Sequence, residues 1–228
     1  MKRKTMYKLF LVGLLLISST AFAQKAAVLQ VLKKYNVSED VLSTNLKANL
    51  EKYRHEVQRT VTLNEKDKVY ISTFDPMKQE LPQWTLVSVN GKSPSKNEQK
   101  AFTKEHDNKL DFKIDESSLA IAKDDGSQLE ITYQFDPASL DKEHGFLKDC
   151  LYTIHINAKT GKMEKITETN LKDLRIKILK VTKMTTLVNY RYIEKDKLYV
   201  PTDSRVEIII KMLGNELPMV TSEVYSIK

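Results

Sequence analysis

The chain has 228 residues, of which 41 % are apolar and 29 % charged, with a formal net charge of +7 and a single cysteine. That length and apolar share suit one domain with a sizeable core and exclude a low-complexity or disordered chain. A lone cysteine excludes an internal disulfide framework, so the core and the pairing of strands must hold the fold.

Lys2, Arg3, Lys4 and Lys8 precede the apolar run LFLVGLLLI at residues 9–17, and Ala21-Phe22-Ala23 then supplies a small-x-small cleavage box before Gln24. This is the three-part pattern of a secretory signal, and the run falls short of the roughly 20 residues a spanning helix needs. The expectation is a cleaved signal at 1–23 and one mature β-rich domain at 24–228, periplasmic or secreted. Gln24, where a lipidated protein would carry cysteine, predicts no lipid anchor. No later stretch is long and apolar enough for a transmembrane anchor. Loss of the four signal cations lowers the net charge from +7 to +3. No dense basic stripe remains, which excludes nucleic acid as a partner.

Val28, Leu29, Val31 and Leu32 recur at helical spacing and predict a helix over 25–35. Ser38-Glu39-Asp40 has the chemistry of a helix start and predicts a second short helix to about Leu50. From Tyr53 the period becomes two. Strands are expected at 53–61, 69–74 and 84–89, with Asp75-Pro76 ending the second. Asn90-Gly91 turns the chain, and Ser93-Pro94 is read as cap and first position of a polar helix to about His106. Leu110, Phe112 and Ile114 alternate like a strand, as do Leu129, Ile131, Tyr133 and Phe135. Asp124-Asp125-Gly126 is a hairpin turn. Further strands are expected at 152–156, 163–167, 174–178, 187–193, 198–201, 206–212 and 219–227. Phe-Asp-Pro occurs at 74 and again at 135, each time after an apolar strand, and turn chemistry accounts for both. About a dozen strands with short connections predict an antiparallel sheet.

No local pattern carries catalysis. His55, His106, His144 and His155 are too far apart for a metal-ligand signature. Cys150 and His155 lie five apart, on opposite faces of one strand, which argues against a dyad. Asp124-Asp125-Gly126 lacks calcium-loop spacing, and there is no nucleophile elbow, phosphate loop or dinucleotide fingerprint. The expectation is no enzyme, no cofactor and no metal. Tyr133, Phe135, Tyr152, Ile154, Ile156, Ile208 and Ile210 instead supply large side chains from several strands. In a closed sandwich they are core; in a curved, open sheet they line an apolar concavity suited to an acyl chain.

An N-terminal helix, a long antiparallel meander and helices able to act as a lid together resemble the periplasmic lipoprotein-carrier family. The final stretch, KLYVPTDSRVEIIIK and ELPMVTSEVYSIK, resembles the closing edge of that family's half-barrel. The polar helix after Ser93 departs from the pattern. Separately, FDPMKQELPQWTLVSVNGKSPS resembles a segment of exported bacterial proteins of unassigned function. The carrier resemblance implies an α+β fold, a curved antiparallel, half-barrel-like sheet with helices on its concave side. It also implies a buried arginine holding the lid, for which Arg59 is the first candidate and Arg54 the second. The function expected is non-catalytic binding of a lipid or acylated protein. The alternative is a protein-interaction or structural module of the envelope with a filled core.

Overall fold

In a computed structural model, residues 23–78, 82–106, 112–212 and 214–228 are described, and the segment ahead of Ala23 that the sequence reads as a signal lies outside them. Eleven strands form one antiparallel sheet: β1 His55–Leu63, β2 Lys66–Phe74, β3 Trp84–Val89, β4 Ala120–Asp124, β5 Gln128–Tyr133, β6 Cys150–Asn157, β7 Lys162–Asn170, β8 Leu174–Ile176, β9 Leu179–Ile193, β10 Leu198–Met212 and β11 Asn215–Ile227. Their order is β3-β2-β1-β11-β10-β9-β7-β6-β5-β4, with β8 paired to β9 off this path. The sheet is open, with β3 and β4 at its two edges. The chain is thus two meanders, and the N-terminal strand β1 pairs with the C-terminal strand β11 along nine residue pairs, from His55↔Ile227 to Leu63↔Met219.

Turn chemistry explains the short connections. Asn64 and Glu65 both take positive φ between β1 and β2, and Asn90-Gly91 does the same after β3, as tight antiparallel turns demand. Gly161, at the turn from β6 to β7, has φ +65° and lies so close to the helix end that a Cβ would sit 2.7 Å from the carbonyl oxygen of Tyr35. No other residue type fits there without displacement.

Helix α1 covers residues 23–34. The second helix expected from sequence is instead two 3-10 segments, Glu39–Leu42 and Leu46–Lys52. Ser38 caps the first by accepting from the Asp40 amide. Only two apolar anchors, Leu46 and Leu50, are buried in the second. That anchoring is sparse, and short 3-10 pieces are the usual outcome where a turn must follow a surface. Helix α2 runs from Lys96 to His106. Its cap is Ser95, not Ser93: the Ser95 Oγ accepts from the Glu98 amide, and the Glu98 carboxylate accepts from the Ser95 amide. This is a reciprocal capping box. The strand expected at 110–114 reduces to one bridge between Ile114 and Phe135, and Leu110 lies outside the described residues.

One face of the sheet is covered and forms the main core. Val28 and Leu32 of α1, with Val37, Val41 and Leu46, belong to one buried cluster with Leu129, Ile131, Tyr133, Phe135, Tyr152, Ile154, Ile156 and Met163. A smaller cluster joins Leu50 to Val57, Val200 and Tyr225. No helix among the described residues is long and apolar enough to cross a membrane.

Candidate functional site

Strand registers place side chains in rows across the covered face. One row runs Tyr133, Tyr152, Glu168, Thr186 and Val206 over β5, β6, β7, β9 and β10. The next runs Ile131, Ile154, Ile166, Val188 and Ser204. Helix α1 closes one end of these rows. Farther along, the turn at residues 43–46 spans them without filling the space. A cleft of about 150 Å³ remains, lined by Ser43, Thr44 and Leu46 above and by Tyr133, Phe135, Tyr152, Ile166, Glu168, Thr186, Val188 and Tyr190 below. Thr44 anchors the overhead turn by donating from its hydroxyl to the carbonyl of Phe112 at 2.7 Å. Beyond the cleft, Val206, Ile208 and Met219 continue the apolar floor and are only half-buried.

Glu168 is the charged group of the cleft and is 9 % exposed. Tyr152 donates to its Oε1 at 2.8 Å. Burial raises the carboxyl pKa, and the hydrogen bonds from Tyr152 and Thr186 only partly oppose that, the expected result for a carboxylate taken from water. Burial also pushes the Tyr133, Tyr152 and Tyr190 hydroxyls far up, so all three are held protonated. Cys150 sits beside this group with no exposure. Burial and the neighbouring Glu168 push its thiol far up, which leaves it a small apolar filler and a poor nucleophile.

A second polar group lies where the cleft opens toward β11 and β1. Lys47 of the second 3-10 segment meets Glu223 at 3.0 Å, Tyr225 donates to the same carboxylate, and the Arg59 Nε lies 4.0 Å from it. Burial alone would raise the Glu223 pKa, but Lys47, Tyr225 and Arg59 outweigh it and bring it down to about 2. Arg59 also donates from Nη1 to Glu105 of α2 at 2.6 Å, while its Nε is buried without a hydrogen-bond partner. Helix α2 itself buries no residue. It rests on the sheet through Phe102 and His106 against Trp84, with ring centroids 6.3 and 4.6 Å away. Trp84 in turn packs on the buried His55 and on Phe74.

Comparison with family models, curated proteins and solved structures finds no match to this chain.

The apolar residues singled out from sequence divide into two groups. Tyr133, Phe135 and Tyr152 line the cleft. Ile154 and Ile156 are fully buried in the cluster that holds α1 and do not line the cleft. Ile210 is 7 % exposed in the core near β8, and Ile208 lies half-buried on the floor beyond the cleft. Of the two arginines, Arg59 reaches a helix, although that helix is α2. Arg54 is a surface residue whose nearest acid is Asp75 at 3.7 Å. Sequence reading missed Val188 and Tyr190, which the alternation Val188-Tyr190-Tyr192 could have assigned to one face. It also missed Glu168, two positions from Ile166 and so on the same face, and the Lys47–Glu223 pair, which no local spacing encodes. Among the described residues no group of three or more acids, histidines or cysteines converges as a metal site. A shallow depression of about 460 Å³ outside α1, among Leu29, Lys33, Val37 and Glu39, has no strand in its wall and gathers no buried polar group.

Proposed function

We propose that the protein is an exported, non-catalytic binder of acyl chains, as free lipid or as the anchor of an acylated protein. In this reading the covered face is the concave side of a half-barrel-like sheet. Helix α1 plugs one end permanently, and the turn at 43–46 with α2 forms a movable cover over the rest. The observation that carries the reading is the cleft beneath that turn. Its floor is apolar save for Glu168 and Thr186, and it continues into the half-buried strip Val206, Ile208 and Met219.

At about 150 Å³ the cleft is smaller than the roughly 300–1,000 Å³ typical of ligand pockets. An acyl chain therefore enters only when the cover moves and the strip beyond joins the cleft. The holding contacts suit such movement: a Thr44–Phe112 hydrogen bond, a Lys47–Glu223 pair and an Arg59–Glu105 pair. Each buried methylene gains about 0.8 kcal/mol, so a chain of ordinary length repays the opening of a few polar contacts.

The test is uptake of a fluorescent fatty-acyl probe by the mature chain and by Val188→Glu. Val188 is half-buried on the cleft floor, so a carboxylate there blocks the chain while leaving the α1 core intact. Loss of uptake in a folded variant supports the reading, and equal uptake by both proteins refutes it.

A further inference from the structure

Among the described residues, the most exposed large apolar side chain sits where the fold has least use for it. Ile178 is 95 % exposed. With Lys177 it forms the two-residue turn of the β8–β9 hairpin, and Lys177 takes φ +56° there. Such turns favour glycine, asparagine and aspartate, and a side chain this exposed adds nothing to packing. One strand across, the pair Lys180↔Lys211 brings Met212, 53 % exposed, level with Leu179 beside that turn. Every second residue of β10 from Val206 to Met212 points to the covered side, so the apolar floor beyond the cleft runs out to the same tip.

The other face of the tip is cationic. Arg175, Lys180 and Lys211 stand side by side on β8, β9 and β10 and are all exposed. Like charges directly opposite one another cost a sheet stability. Lys172 and Lys180 are paired with Asp149 and Asp173. Arg175, Lys177, Lys183 and Lys211 form no ion pair among the described residues, although Glu216 stands opposite Lys211 in register. Residues 171–183 and 211–217 hold six cations against two acids, a net +4, whereas residues 24–228 carry +3 in all, so the rest of the domain is close to neutral.

We infer that the β8–β9 and β10–β11 tips dock the protein on an anionic lipid membrane. Ile178 and Met212 enter the bilayer below the head groups, and Arg175, Lys177 and Lys211 meet the phosphates. Apolar side chains at a protruding tip, backed by cations, match both layers of such a surface. An acidic protein surface answers the cations but gives Ile178 and Met212 no apolar phase to enter. The inference does not depend on acyl binding in the cleft.

The experiment sediments residues 24–228 with vesicles of phosphatidylcholine, alone or mixed with phosphatidylglycerol. Binding is expected to the mixed vesicles and should fall as salt rises. Ile178→Ser should weaken it about tenfold, the equivalent of burying most of an isoleucine side chain. Arg175→Gln and Lys211→Gln should each weaken it about fivefold, the equivalent of about 1 kcal/mol per cation at an anionic surface. Met77→Ser should change nothing, since Met77 is 84 % exposed but follows β2 at the opposite end of the sheet. All four side chains are exposed, so the variants keep the fold, which equal urea midpoints check. No binding to the mixed vesicles overturns the inference. Binding of polyglutamate in their place then points to an acidic protein partner, and a dimer dissolved by Ile178→Ser points to a second copy of this chain. Binding that the cation variants weaken but Ile178→Ser does not is charge adsorption alone, and overturns it too. So does equal binding to phosphatidylcholine by itself. Acyl uptake is read separately through Val188→Glu, so failure of either reading leaves the other standing.

Discussion

Removing part of the α1 plug should cost the whole domain its stability, because α1 is held by burial. Leu32 is fully buried and belongs to the same cluster as Ile131, Ile154 and Ile156. The ion pairs of α1, Lys25–Glu116 and Lys34–Asp124, have exposed lysines and are screened by solvent, so they contribute little. Leu32→Ala removes buried methyl groups and leaves a cavity between helix and sheet. Comparable substitutions cost roughly 2–5 kcal/mol, a large share of the about 5–15 kcal/mol a domain has in total. Urea unfolding of residues 24–228 should show a lower midpoint at an unchanged slope, the mark of lost stability without a change in surface exposed. A loss below about 1 kcal/mol, the level of an ordinary surface change, would refute the docking of α1 and reopen Ile154 and Ile156 as cavity wall.

Gly161→Ala forces a side chain into positive φ and to within 2.7 Å of the Tyr35 carbonyl oxygen; unfolding should show a loss of at least about 1–2 kcal/mol, the cost of that backbone region alone. The Glu223 carboxyl is depressed from 4.5 to about 2, so its contribution is present above 4.5 and is lost as pH falls toward 2. Thermal unfolding across that window should show the wild type losing its advantage over Glu223→Gln. Glu168 has the opposite sign: its folded pKa is raised, so its contribution is complete below the unfolded value near 4.5 and is lost as pH rises through the folded one. Glu168→Gln should therefore melt higher than wild type at neutral pH, and the gap should close in acid.

Period-two patterns made most of the sheet legible. Leu129, Ile131 and Tyr133 alternate inward in the structure as they do in the sequence, and so do Tyr152, Ile154 and Ile156. Long strands were harder to read. β10 carries Pro201 at a bulge, and proline suggested a strand end where the chain only shifts register. The pair that joins the two meanders was not legible, because β1 meets β11 through contacts more than 150 residues apart in sequence. The cleft was half legible for the same reason. Its aromatic wall lies on β5 and β6, whose alternation is local. Glu168, Val188, Tyr190 and Lys47 come together only once the order β10-β9-β7-β6 is known. Buried Glu168 resembles any other strand glutamate until its cross-strand neighbours Tyr152 and Thr186 are in place.

Native mass spectrometry of residues 24–228, purified from the native source without detergent, tests the central claim most directly. The account predicts bound mass that releases as acyl lipid or acylated peptide and is absent from the Val188→Glu variant. A clean apo mass, with no uptake of added monomyristoylglycerol or fatty acid, would contradict it and leave a filled-core interaction module as the description of this fold.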